Sequence, residues 1–87
     1  RFKANARRNK LLGLWAAEKL GKTGEAAATY AIEVVKSDFE APGDEDVFRK
    51  VKGDLDAAGV DISDHQLHRQ MTELMEVAVE QVKTEKK

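Results

Sequence analysis

Apolar residues along this 87-residue chain recur every three or four positions and never in sustained alternation, which is the period of helices and not of strands. Leu11, Leu12, Trp15, Ala16 and Leu20 share one broad face. Gly21, which adopts positive φ without steric cost, stops that segment. The spacing predicts a helix over 2–20. Leu14 falls off the stripe and is a candidate for exposed apolar surface, whereas Trp15, the single tryptophan, belongs to the core.

A second helix is predicted over 24–39. Thr23 serves as its N-cap and Glu25 complements the dipole in its first turn. Ala28, Ala31, Ile32, Val35 and Phe39 form its stripe. The chain then turns, because Pro42 drives Ala41 out of the α region and Gly43 follows. Asp44 caps a third helix over 45–58, with Glu45 and Asp46 in its first turn. Its stripe is Phe48, Val51, Leu55 and Ala58, with Val47 alongside, and Gly59 ends it. Gly53 lies inside this helix at a cost of about 1 kcal/mol relative to alanine, and marks either a close helix contact or nothing.

The fourth helix, over 64–84, has the clearest start. Ser63 and Gln66 have the spacing of a capping box, and Ile62 and Leu67 that of a hydrophobic staple. Leu67, Met71, Leu74, Ala78 and Val82 run on as a stripe into a charged tail that should fray. Four amphipathic helices without a strand give an all-α four-helix bundle, one domain over 1–87. So short a chain buries a small core.

Composition narrows the picture. Cysteine is absent, so neither a disulfide framework nor a thiolate metal site can form. No apolar run approaches the roughly 20 residues that cross a bilayer, so no membrane insertion is expected. No leader peptide is visible, and the chain opens on Arg1 and not on a methionine. Net charge is −1, but it is unevenly spread. Residues 1–24 carry seven Lys/Arg against one acid, and residues 25–87 carry eight against fifteen. Such asymmetry suits a basic arm for a partner, or packing between oppositely charged segments of one domain.

Candidate chemistry is sparse. Gly21-Lys22-Thr23-Gly24 resembles the end of a phosphate loop, but Ala16 stands where the motif needs glycine, and a helix precedes it instead of a strand. A helix stop followed by an N-cap accounts for it. His65 and His68 are three apart with Asp61 and Asp64 nearby, yet no third nitrogen or sulfur ligand accompanies them, so no metal is assigned. The acids from Asp38 to Asp46 do not follow a calcium-loop pattern. No nucleophile has a histidine partner in the pattern, and nothing argues for an enzyme or a resident cofactor. Arg1, Lys3, Arg7, Arg8 and Lys10 form a basic patch that is either merely solvated or meets a protein. Nucleic acid is disfavoured by the negative net charge and the lack of a recognition motif.

Two blocks carry a resemblance. "FKANARRNKLLGLWAAEKLGKTG" (Phe2–Gly24) and "SDFEAPGDEDVFRKV" (Ser37–Val51) are similar to the zeta subunit of alphaproteobacterial ATP synthase, a family of small inhibitors also catalogued as a domain of unknown function. The likeness runs through the whole chain and is loosest after Gly53. It implies a four-helix bundle that inhibits ATP hydrolysis at the catalytic head of the rotary enzyme, among its alpha, beta and gamma subunits. It also implies that the blocking element is an N-terminal segment before the equivalent of Phe2, which the bundle anchors, and that the protein is cytoplasmic and peripheral to the inner membrane. Weak adenine-nucleotide binding is a family property for which this sequence carries no motif. On proximity to that segment, Arg1, Phe2, Lys3, Arg7 and Arg8 are the expected partner-binding residues. A monomer is expected. The alternatives are a nucleic-acid-binding helical module using the basic first helix, and a structural adaptor without regulatory activity.

Overall fold

The computed structural model describes residues 2–40 and 44–84, and within them every side chain except those of residues 2, 38–40 and 44. Four α-helices follow one another: α1 (Phe2–Lys19), α2 (Gly24–Glu40), α3 (Asp44–Ala57) and α4 (Asp64–Thr84). They form an all-α four-helix bundle, with no strand among the described residues. Each boundary lies within one residue of the expected one. The expected turn at Pro42 and Gly43, the Asp44 side-chain cap, and the apolar role of Phe39 lie outside the described residues.

The helix ends show why the boundaries were legible. Gly21 takes φ 80°. There the Lys22 amide donates to the Ala17 carbonyl at 2.8 Å and the Gly21 amide to Glu18 at 3.1 Å. This pair of bonds satisfies carbonyls that the helix end would otherwise orphan. The same arrangement closes α3. Gly59 has φ 78°, with Val60 donating to Leu55 at 2.9 Å and Gly59 to Asp56 at 3.0 Å. Lys52 ties this end to the next loop, donating to the Ile62 carbonyl at 2.7 Å.

The start of α4 is a complete capping box. The Gln66 amide donates to Ser63 Oγ at 3.1 Å, and the Ser63 amide to Gln66 Oε1 at 3.0 Å. Ile62 and Leu67 both join the core. Ser63→Ala removes one acceptor from this box and should cost about 1 kcal/mol. The check is hydrogen exchange at the Gln66 amide, which should quicken; an unchanged rate would show that water replaces the hydroxyl without loss.

One apolar cluster draws on all four helices: Leu12, Ala16 and Ala17 from α1, Tyr30 and Val34 from α2, Val47, Val51 and Leu55 from α3, and Leu67 and Met71 from α4. Helix α1 is the hub, packed chiefly on α2 and α4, while α3 closes the bundle against α2. Trp15, expected in the core, is half-buried at its edge, with Lys19 Nζ 5.7 Å from its ring centroid. Leu74 is half-buried as well, and Ala58 is exposed.

Helix α2 is turned relative to its expected stripe. Tyr30, Ala31 and Val34 face inward, while Ala28 is exposed and Ile32 is 57% exposed. The cause lies on α1. A Cβ added at Gly13 would stand 2.6 Å from the Ala31 Cα and 3.3 Å from the Val34 Cβ. The two helices touch backbone to backbone at Gly13, and that contact fixes which face of α2 is covered. Gly53, by contrast, has nothing within 4 Å of an added Cβ, so it marks no close contact.

Candidate functional site

The basic patch on α1 divides once its helix is packed. Successive residues of a helix turn by about 100°, so five cations over ten positions cannot share one face. Lys3 and Lys10 are exposed. Arg7 is half-buried and its Nη1 donates to Gln81 Oε1 of α4 at 2.9 Å, which joins the two helices. Arg8, placed by the sequence among the partner-binding residues, is 2% exposed and lies in the interior. Its Nε donates to the side-chain oxygen of Asn9 at 2.8 Å, and Asn9 is itself fully buried, its Nδ2 without a partner among the described residues. A buried guanidinium must be hydrogen-bonded to be tolerated, so Arg8 is a structural group of the bundle. Arg1 and the Phe2 side chain lie outside the described residues. Within the patch the described surface cations are therefore Lys3 and Lys10, and Leu14, one turn beyond Lys10, is exposed beside them.

A second polar cluster, not anticipated from the sequence, joins α2 to α3. The Tyr30 hydroxyl donates to Asp54 Oδ2 at 2.8 Å, and Lys50 Nζ donates to the same oxygen at 3.1 Å. Lys50 also lies 3.5 Å from Glu33 and 5.2 Å from the Tyr30 ring centroid, while Lys22 approaches that ring at 6.0 Å. Of the two shallow grooves that meet at Tyr30, one sets Lys22 and Lys50 against Glu33 and Asp54, and the other sets Lys22 against Glu25 and Glu33. Their charges nearly cancel, so the grooves have no marked preference for an anion. Lys22, in the loop that resembles a phosphate site, thus sits on a helix-ending turn against an aromatic face. Tyr30 faces inward because the buried stripe of α2 lies one residue out of phase with the expected one.

Burial first, then the bond to Asp54, raises the Tyr30 hydroxyl well above its usual range. Unfolded, the phenol ionises at about pH 10. A folded-state pKa above the unfolded one contributes stability that is complete below about pH 10 and is lost as pH rises beyond it. This is the chain's single tyrosine, so its ultraviolet absorbance reports on it alone. Phenolate absorbance is expected only as helicity collapses in alkali, and Tyr30→Phe should flatten the loss of stability above about pH 10. Phenolate forming near pH 10 in a chain that keeps its helices would exclude the buried hydrogen bond.

On α4, His68 stacks on Phe48 of α3 with ring centroids 4.1 Å apart and planes 6° from parallel. His65 is exposed. Among the described residues no three His, Asp or Glu side chains stand together as metal ligands. No described helix is long and apolar enough to cross a membrane.

The fold defines the class: a small all-α four-helix bundle held together by one apolar cluster and by polar clusters that tie its helices. The particular family is shown by the sequence: residues 1–81 match the family of ATPase inhibitor subunit zeta, to which the chain belongs. It is therefore an inhibitor subunit by family, associated with ATP synthase and regulatory in character. A solved structure, described as the solution NMR structure of the protein, shares 53% identity with it and superposes with a TM-score of 0.84 over 98% of this chain and 96% of that one. None of the curated proteins matches the chain.

Proposed function

We propose that the bundle binds the catalytic head of the rotary ATP synthase, at its alpha, beta and gamma subunits, and anchors an N-terminal element that blocks ATP hydrolysis. Through that association a single copy sits at the cytoplasmic side of the inner membrane without entering it. The observation that carries the reading is α1 itself. It is the hub of the bundle, backed by α2 and α4, so whatever is joined to its N-terminal end is held on a rigid support. Its exposed Lys3 adjoins that end. Arg7 is held by Gln81 and Arg8 is interior, so among the expected partner-binding residues Lys3 is the described side chain that offers a free charge to the enzyme.

A tethered blocking element acts at high effective concentration, whereas the anchor alone blocks nothing. The 87-residue chain is expected to bind the purified head with little effect on hydrolysis. The same chain carrying the family's N-terminal segment is expected to inhibit it. Full inhibition by the 87-residue chain would place the blocking surface within the bundle. Failure of both chains to bind the head would reject the reading.

A further inference from the structure

The contact of Gly13 with Ala31 divides the α1–α2 pair into an inner and an outer side. Gly13 also meets Val34, and the helices are joined by the turn at Gly21, so they run antiparallel. Leu12 and Tyr30, each one residue before the contact, are both buried in the core. Leu14 and Ile32, each one residue after it, are rotated by about 200° from those neighbours and so emerge together on the outer side. They are 38% and 57% exposed, and Ile32 is the most exposed of the large hydrophobic residues described. Ala28, one turn from Ile32, is exposed beside them, and Val35 is half-buried. The other two exposed aliphatic residues, Val77 and Val79, are two positions apart on α4 and point to different sides. The outer α1–α2 seam is thus where exposed apolar side chains come together from two helices.

Among the described side chains the charges around the seam are ordered. Lys10 is one turn from Leu14, and Lys36 is one turn from Ile32. The antiparallel register puts both at the same end, with Lys3 beyond them on α1. None of the three lysines makes an ion pair among the described residues, in contrast to Lys50 and Lys52, which are paired. Glu18 lies at the opposite end, near the turn.

We infer that this seam is the face by which the bundle docks on the ATPase head, and that it receives an amphipathic helix whose acidic residues lie over Lys10 and Lys36. The inference rests on the reading of the chain as an anchor on that head. The groove between two antiparallel helices accepts a third by the ridge-into-groove packing that builds bundles, with apolar side chains at the centre and charge at the rim. Exposed lysines at one end fix the polarity of the incoming helix and speed its encounter.

The test is a binding titration of the purified ATPase head with the wild-type chain and with Ile32→Glu, Leu14→Glu, Lys10→Glu and Val79→Glu, each checked for helicity by circular dichroism. Ile32→Glu and Leu14→Glu should weaken binding by at least about ten-fold, as central apolar contacts do. Lys10→Glu should weaken it several-fold and flatten its salt dependence. Val79→Glu, at an aliphatic residue as exposed as Leu14 but on another helix, should leave it unchanged. Should Leu14→Glu lose its helicity, Ile32→Glu, at the more exposed position, carries the test. Wild-type binding matched by Ile32→Glu and Leu14→Glu, or lost equally in Val79→Glu, would overturn the seam while leaving the anchoring reading intact. Loss at Ile32 without loss at Lys10 would overturn the acidic partner. A wild-type dimer that Ile32→Glu dissolves would give the seam to a second copy of the chain and overturn the inference. No binding by the wild-type chain would remove both the inference and the reading beneath it.

Discussion

Leu67→Ala is expected to lower the unfolding free energy by about 3 kcal/mol, and Leu74→Ala by only about 1–2 kcal/mol. The two leucines lie on one stripe of α4 two turns apart, and periodicity alone treats them alike. Leu67 is fully buried and belongs both to the four-helix cluster and to the staple with Ile62. Removing its isobutyl group loses the transfer free energy of its carbons and leaves a cavity that four helices cannot close by small movements. Leu74 is half-buried and packs on the cluster from outside. Water can occupy part of the space its truncation leaves, so the cavity contribution is smaller. In a domain of this size 1 kcal/mol corresponds to about 4–8 °C in Tm, so Leu67→Ala should melt about 12–24 °C lower. Urea unfolding followed by circular dichroism measures both variants. Equal losses would mean that Leu74 is as much a core residue as Leu67.

Gly13→Ala should destabilise the bundle by about 2 kcal/mol although it replaces glycine by the best helix former. Within an exposed helix that substitution gains about 1 kcal/mol. At Gly13 the new Cβ would stand 2.6 Å from the Ala31 Cα, and that atom is backbone. No rotamer can relieve such a contact, so α1 and α2 must move apart, and the packing they share with the core loosens. Gly53→Ala supplies the control. Its Cβ meets nothing, so it should stabilise by up to about 1 kcal/mol. The pair separates steric contact from helix propensity, because propensity alone moves both variants in one direction. Thermal unfolding of the two variants should shift Tm in opposite directions, and a Gly13→Ala chain as stable as wild type would show that the helices do not touch there.

Much of the candidate site was hidden for a related reason. Arg8 and Lys10 have similar charge and neighbouring positions, yet one is interior and the other exposed. A cluster of cations in sequence gives their number but not the side of the helix from which the rest of the bundle approaches. Lys3 as a surface charge and Leu14 as exposed apolar surface were legible. Tyr30 with Asp54 and Lys50 was not, because its bonds span 24 residues and depend on the rotation of α2.

The sequence by itself determined everything that rests on local chemistry. Gly21 and Gly59 end their helices because only residues tolerant of positive φ can carry the closing bonds, and Ser63 with Gln66 starts α4 because both partners lie within one turn. The period of the apolar residues determined the number and length of the helices. Only the tertiary structure decided how each helix is rotated about its own axis. Helix α2 is rich in alanine, so nearly any of its faces can be covered and its own stripe selects poorly among them. The selection is made by Gly13 on another helix, where the absence of one carbon lets two backbones meet at Ala31. From that contact follow the burial of Tyr30 and Val34 and the exposure of Ile32.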